Sequence, residues 1–216
     1  VVVAGTTGGA AALTDRERWE LLAAVLGAVR PRRATVVAGT GAVTGERAAR
    51  LTAEAADHGA DAALVLSPPW TPDPRPYYEQ VAKAAPDLPL LAYHYPAASA
   101  PGIPVELLRD LPVTGCKDST GDCDRLLETL TAWGGHLYVG SSAVVSYAGQ
   151  LGLPGAILAL ANAEPERCVA AFDGDGAAQR ELAAAHTAMR TGGFPAGIKA
   201  QTAARWGTSI RARIGG

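Results

Sequence analysis

Few side chains in this chain can do chemistry on a carbonyl, and they fall at recurrent places. Lys117 ends the apolar run VTGCK and is followed at once by the turn residues DSTGD. Lysine is scarce: Lys83, Lys117 and Lys199 are the only three, and arginine supplies every other strong cation. Arginine stays protonated, whereas a desolvated lysine can lose its proton and attack a carbonyl carbon. Lys117 is therefore the candidate nucleophile, while Lys83 among alanines and Lys199 near the C-terminus read as ordinary helix lysines. Tyr93 closes the run PLLAY, and its phenol beside an amine could carry protons to and from a substrate oxygen. The loop GTTGG (5–9) offers two hydroxyls, Thr6 and Thr7, with free backbone N–H groups that suit a carboxylate.

Other arrangements are excluded by their spacing. The run Gly39-Thr40-Gly41-Ala42-Val43-Thr44-Gly45 mimics a dinucleotide fingerprint, but the next strand ends in Ser67 where an acidic residue should hold a ribose. The four histidines, His58, His94, His136 and His186, show no metal-ligand spacing with each other or with cysteine. Ser141 and Ser142 lack a GxSxG elbow. No metal and no cofactor is expected. His94 follows Tyr93 directly, so the two should face opposite sides of their strand.

The elements that must hold these residues alternate throughout. Strands are predicted at 1–4, 34–39, 61–67, 88–95, 113–117, 136–140 and 155–160. Helices are predicted near 15–29, 45–58, 75–84, 104–110, 122–133, 142–151 and 165–173, with two more at 176–191 and 196–206. Thr14 with Glu17 three residues on is a capping box for the first helix. Strand–helix alternation implies a parallel sheet, and strands without polar alternation imply cover on both faces. An open doubly wound sheet and a (β/α)8 barrel both satisfy this. Either architecture gathers its chemistry where strands end, which is where Gly5–Gly8, Gly39–Gly41, Ser67, Tyr93, Lys117 and Gly140–Ser142 stand. The barrel needs one more β/α unit than the chain supplies, and the opening VVVA already reads as a strand, so a first unit is expected to be missing. The expected organisation is 1–175 for barrel strands 2–8 and 176–216 for a C-terminal helical region.

Bulk properties bound the partners. With 216 residues, 48% hydrophobic and 19% charged residues and a formal net charge of −2, no basic surface for nucleic acid and no membrane segment are expected. Cys116, Cys123 and Cys168 form no CxxC pair, which fits a reducing cytoplasmic compartment.

Taken in order, the motifs resemble those of the dihydrodipicolinate synthase / N-acetylneuraminate lyase family of Schiff-base aldolases. GTTGG with LTDRERWELL is similar to GTTGE…LT..ER, YHYP stands for Y-N-x-P, GCKDSTGD for G-x-K-D-[ST]-[ST]-G-[DN], and GLPGAILALANAEPE for the late glycine–asparagine element. The resemblance implies a (β/α)8 barrel lacking its first unit, usually assembled as a dimer of dimers. It implies that Lys117 forms a Schiff base with pyruvate or another 2-oxo acid. Tyr93 and Thr7 would relay protons, Thr6 and Thr7 would bind the carboxylate, and Gly140 and Ile157 would line the pocket. Three positions depart from the synthase pattern: Pro69-Trp70 replaces a tyrosine pair, Ala98 replaces a substrate-binding arginine, and Gly9 replaces a glutamate. The C-terminal FPAGIKAQTAARWG is closer to the 4-hydroxy-2-oxoglutarate aldolase-like branch. A 2-oxo acid aldolase is thus the expected function, ahead of the synthase itself and of a non-catalytic barrel that binds an oxo acid or a sister subunit.

Overall fold

The computed structural model describes residues 1–213; the last three residues of the expected 176–216 region lie outside the described residues. Two compact units divide the chain, Val1–His136 and Leu137 onward. The expected boundary at 175/176 falls inside the second.

In the first unit the strands are β1 (Val2–Val3), β2 (Val37–Gly39), β3 (Ala62–Leu66), β4 (Leu90–His94) and β5 (Gly115–Asp118). Each pairs in parallel with the next in sequence. That succession decides between the two architectures left open by the sequence, because a doubly wound sheet reverses its strand order at a switch point and a barrel winds on without reversal. β3 and β4 are buried along almost their whole length, which explains their unbroken apolar composition.

The helices between them are α1 (Asp15–Val29), α2 (Gly45–Asp57), α3 (Arg75–Ala84) and α4 (Cys123–Ala132). The capping box of α1 forms as expected: the Glu17 amide donates to Thr14 Oγ1, and the Glu17 carboxylate accepts from the Thr14 amide at 2.9 Å. One face of α1 packs on β1 and β2, with Leu22, Val3, Val36, Ala38, Ala55 and Ala60 buried together. The helix expected near 104–110 is instead a 3-10 segment, Val105–Asp110. It follows Gly102 and Pro104 closely, and so short a piece gains little from α-helical propagation.

The second unit holds α5 (Val145–Gln150), α6 (Pro165–Phe172), α7 (Gly176–Thr191) and α8 (Ala196–Trp206), together with β7 (Gly155–Ala156) and, from Leu137 on, its parallel partner β6 (His136–Val139). Its core joins Val145, Leu160, Cys168, Ala171, Leu182 and Ile198. Two expectations need shortening here. The helix near 142–151 begins as a 3-10 turn over Ser142–Val144. The strand expected over 155–160 covers only Gly155–Ala156 before the chain turns into a 3-10 segment at Leu160–Asn162. An apolar run alone does not distinguish a strand from a tight buried turn.

Candidate active site

The parallel register of β4 and β5 sets Tyr93 beside Lys117 and His94 beside Asp118. Successive strand residues point to opposite faces, so these form two separate pairs on the front and rear of the sheet. On the front, the Lys117 amine lies over the Tyr93 ring, 4.1 Å from its centroid. Tyr93 is 5% exposed, and its hydroxyl meets the side chains of Ser119 and Thr6. Burial raises the Tyr93 pKa, with those two hydroxyl contacts opposing the rise. The phenol is therefore a proton donor at neutral pH.

Lys117 keeps some exposure as a residue, yet its amine is stripped of enough water that desolvation lowers its pKa from 10.5 to about 8. The Tyr93 ring face favours the charged form by only ~0.5–2 kcal/mol. Desolvation of this size is worth roughly 3 kcal/mol, so it wins. About a tenth of such an amine is neutral at pH 7, against a few parts in ten thousand for an ordinary lysine.

The hydroxyl loop is held from behind. The Gly9 amide donates to Thr6 O at 3.1 Å, and Gly9 itself sits at φ 74, in the left-handed region that a glutamate would enter only with strain. Buried Arg18 of α1 donates to the Ala10 carbonyl just past the loop and, at 3.2 Å, to the Gly39 carbonyl at the end of β2. Of the loop's two threonines, Thr6 is the one that reaches the Tyr93 hydroxyl; both are half-buried. The family resemblance assigns Thr7 to the proton relay and both threonines to the carboxylate; Thr6 is the one whose side chain bonds the Tyr93 hydroxyl.

The neighbouring glycine loop is engaged within the protein. The Ala42 amide donates to the Tyr77 hydroxyl at 3.1 Å, and Thr52 Oγ1 bonds Thr40 Oγ1 at 2.8 Å in a buried position. Trp70 is 84% exposed at φ 57, its amide donating to Ala100 O at 2.7 Å. Ala98 is exposed and carries no charge. In the second unit, Gly140 follows β6 and Ile157 follows β7, with the Ile157 amide donating to Val139 O at 2.9 Å. Among the described residues no group of three or more His, Cys, Asp or Glu is placed to hold a metal ion. None of the helices described is long and apolar enough to cross a membrane.

The rear of β4 and β5 holds residues that sequence reasoning left unassigned. His94 is 4% exposed, and its Nδ1 accepts the Ile103 amide at 2.8 Å. Asp118 Oδ2 accepts from Arg125 Nε at 2.7 Å, and Arg125 Nη2 donates to Ile103 O at 2.7 Å. Asp118 Oδ1 accepts from the Thr120 amide and hydroxyl. Ser119, the second hydroxyl on Tyr93, follows directly, its own amide donating to His94 O at 3.0 Å. The available signal was the motif GCKDSTGD itself, in which Asp118, Ser119 and Thr120 read as turn residues alone.

These features define a β/α-barrel protein carrying a desolvated lysine and a tyrosine side by side at strand ends. The chain matches the dihydrodipicolinate synthetase family over residues 1–201 and belongs to it. It is 34% identical over 196 residues to the 4-hydroxy-tetrahydrodipicolinate synthase of Thioalkalivibrio sulfidiphilus, covering 84% of this chain and 66% of that protein. The chain thus spans just under two thirds of that relative's length. Among solved structures it is similar to KD(P)GA from T. tenax (25% identity, TM-score 0.85, 97% of this chain and 78% of the other). It is also similar to the dihydrodipicolinate synthase from Acinetobacter baumannii complexed with pyruvate (29% identity, TM-score 0.80, 92% and 74%). The fold is the TIM-barrel type of these proteins.

Proposed function

We propose that the chain acts as a class I aldolase on a 2-oxo acid. The observation that carries this reading is the Lys117 amine, desolvated and 4.1 Å above the Tyr93 ring. Neutral Lys117 attacks the C2 ketone of pyruvate or a related acid, and a proton from Tyr93 reaches the developing alkoxide to give a carbinolamine. Loss of water leaves an iminium ion, which accepts the electron pair released by C–C cleavage or supplies an enamine for condensation. Hydrolysis returns the 2-oxo acid and the free amine. Thr6 and Ser119 share the Tyr93 hydroxyl and keep it supplied with a proton partner, while the Thr6–Thr7 loop holds the substrate carboxylate through backbone N–H groups.

Pyruvate with sodium borohydride tests it. The expected product is a stable secondary-amine adduct on the peptide containing Lys117. A folded protein that yields no adduct there overturns the reading and leaves a non-catalytic barrel in its place.

A second reading, 4-hydroxy-tetrahydrodipicolinate synthase, is favoured by the name of the relative at 34% identity. It requires condensation of pyruvate with aspartate semialdehyde. Ala98 offers no cation for the second carboxylate, and Trp70 offers no phenol, so the 4-hydroxy-2-oxo acid aldolase branch is preferred. Parallel assays of semialdehyde condensation and 4-hydroxy-2-oxoglutarate cleavage separate the two. A cytoplasmic homo-oligomer built as a dimer of dimers completes the proposal, and sedimentation velocity reads its assembly.

A further inference from the structure

Resting on the reading of Lys117 as the nucleophile, we infer that the aldehyde half of the substrate is uncharged and aromatic: the site takes 4-hydroxy-2-oxo acids that carry an aryl group on C4. Leu66 of β3, Tyr93 of β4 and Lys117 of β5 lie in one register, so the loops that leave β3 and β4 begin level with the lysine. Those two loops are joined, the Trp70 amide donating to Ala100 O at 2.7 Å and Ser99 Oγ donating to Ser67 O at 2.6 Å. The loop after β1 reaches the same place, since Thr6 meets the Tyr93 hydroxyl. The groups available to the far end of a substrate are therefore those of these loops.

None of them is a cation. From strand end to the next helix, residues 4–14, 40–44, 67–74, 95–104 and 119–122 contain no lysine, arginine or histidine. In the second unit, residues 140–141 after β6 and 157–159 after β7 contain none either. The arginines in the first turns of the helices beyond are engaged within the protein. Arg16, Arg47 and Arg75 pair with Glu20, Asp15 and Asp73, and Arg18 and Arg125 donate to backbone carbonyls, Arg125 to Asp118 as well. Lys117 itself is consumed by the Schiff base. A second carboxylate beyond C4 would leave water with no cation to receive it, and an unpaired charge costs more than an unpaired neutral group. What the loops do offer is apolar. The Tyr93 ring, over which the Lys117 amine lies, stacks on the ring of Tyr95 with centroids 5.9 Å apart and planes 7° apart. Tyr95 is half-buried, and Ala97, Ala98 and Trp70 add exposed apolar surface. A planar uncharged substituent gains from stacking on such rings, and a carboxylate does not. Cleavage then needs no further reactant. On the Lys117 iminium the C3–C4 bond breaks, its electron pair forms the enamine, and the C4 hydroxyl loses its proton through the Tyr93 oxygen to become the aldehyde. Protonation of the enamine carbon restores the proton count, and water releases pyruvate.

The test compares three substrates that differ only at C4. Pyruvate release from 4-hydroxy-2-oxo-4-phenylbutanoate, 4-hydroxy-2-oxopentanoate and 4-hydroxy-2-oxoglutarate is followed with lactate dehydrogenase. The phenyl substrate is expected to give the highest kcat/KM, about ten- to a hundredfold above the dicarboxylate. Tyr95→Ser should narrow the preference for phenyl over methyl about three- to tenfold. Ala98→Arg, which places a cation in the loop after β4, should raise kcat/KM for the dicarboxylate about tenfold. Cooperative unfolding verifies each variant, and where a variant does not fold the order of the three substrates on the parent protein decides. A borohydride adduct of pyruvate on Lys117 with the methyl or dicarboxylate substrate cleaved as well as the phenyl one overturns the inference and leaves the aldolase reading standing. The same adduct with none of the three cleaved does likewise. A folded protein that gives no adduct overturns both.

Discussion

An amine must be neutral to attack a ketone, and burial is how a protein makes it so without a base. Lys117 illustrates the competition: the Tyr93 ring favours the ammonium, desolvation opposes it, and desolvation is larger. The neutral form accumulates as pH rises toward about 8, so reductive trapping should accelerate about tenfold per pH unit below that value and level off above it. Tyr93→Phe keeps the ring beneath the amine but removes the hydroxyl shared by Thr6 and Ser119. It should still give the adduct, formed about 10²- to 10⁴-fold more slowly, as stopped trapping time courses would reveal. An unchanged rate would remove the proton-transfer role from Tyr93. At this scale the sequence was informative because a lysine at the end of an apolar strand is chemically odd. Ser119 was missed because the same letters serve an ordinary turn.

At the scale of elements, the strand ends that carry the site are packed too closely to tolerate extra atoms. A Cβ on Gly39 would fall well inside contact distance of the Ala4 carbonyl, where β1 ends. Backbone cannot step aside as a flexible side chain does, so Gly39→Ala is expected to cost about 3 kcal/mol or more. Thr14→Ala removes one half of the α1 capping box and should cost about 1 kcal/mol, within the ~0.5–2 kcal/mol range of such caps. Urea unfolding of both variants checks the ranking, and equal losses would contradict it. Capping at Thr14 was legible because it needs only residue types at fixed spacing. The strand over 155–160 was misjudged in length, since GAILAL satisfies a buried strand and a buried turn equally.

For the whole molecule, buried neutral His94 links stability to pH. Its pKa is about 4 in the folded protein against an ordinary 6.5, so the unfolded chain binds more protons between those values. Stability should be complete above about 6.5 and fall by roughly 3 kcal/mol as pH drops through that window. Below it, Asp15 and Asp61, whose pKa values are lowered by hydrogen bonds from Arg50 and the Val36 amide, lose their contribution as they protonate. Thermal melts across this range should show a downward slope toward acid that His94→Asn largely flattens. A slope identical in the variant would place the linkage elsewhere.

The sequence by itself determined the alternation of strands and helices, the parallel sheet and the capped first helix, and it singled out Lys117 and Tyr93 as candidates. Each of these follows from period, propensity or a residue type in a strange place, all of which are local in the chain. Only the tertiary structure decided that the strands of the first unit follow one another without reversal, that Tyr93 and Lys117 share a register, and that Thr6 reaches the phenol. It alone joined Asp118 to Arg125 and His94 to Ile103 behind them. Those facts depend on which backbone lies beside which, and hydrogen bonding between strands sets that register only once the chain has folded.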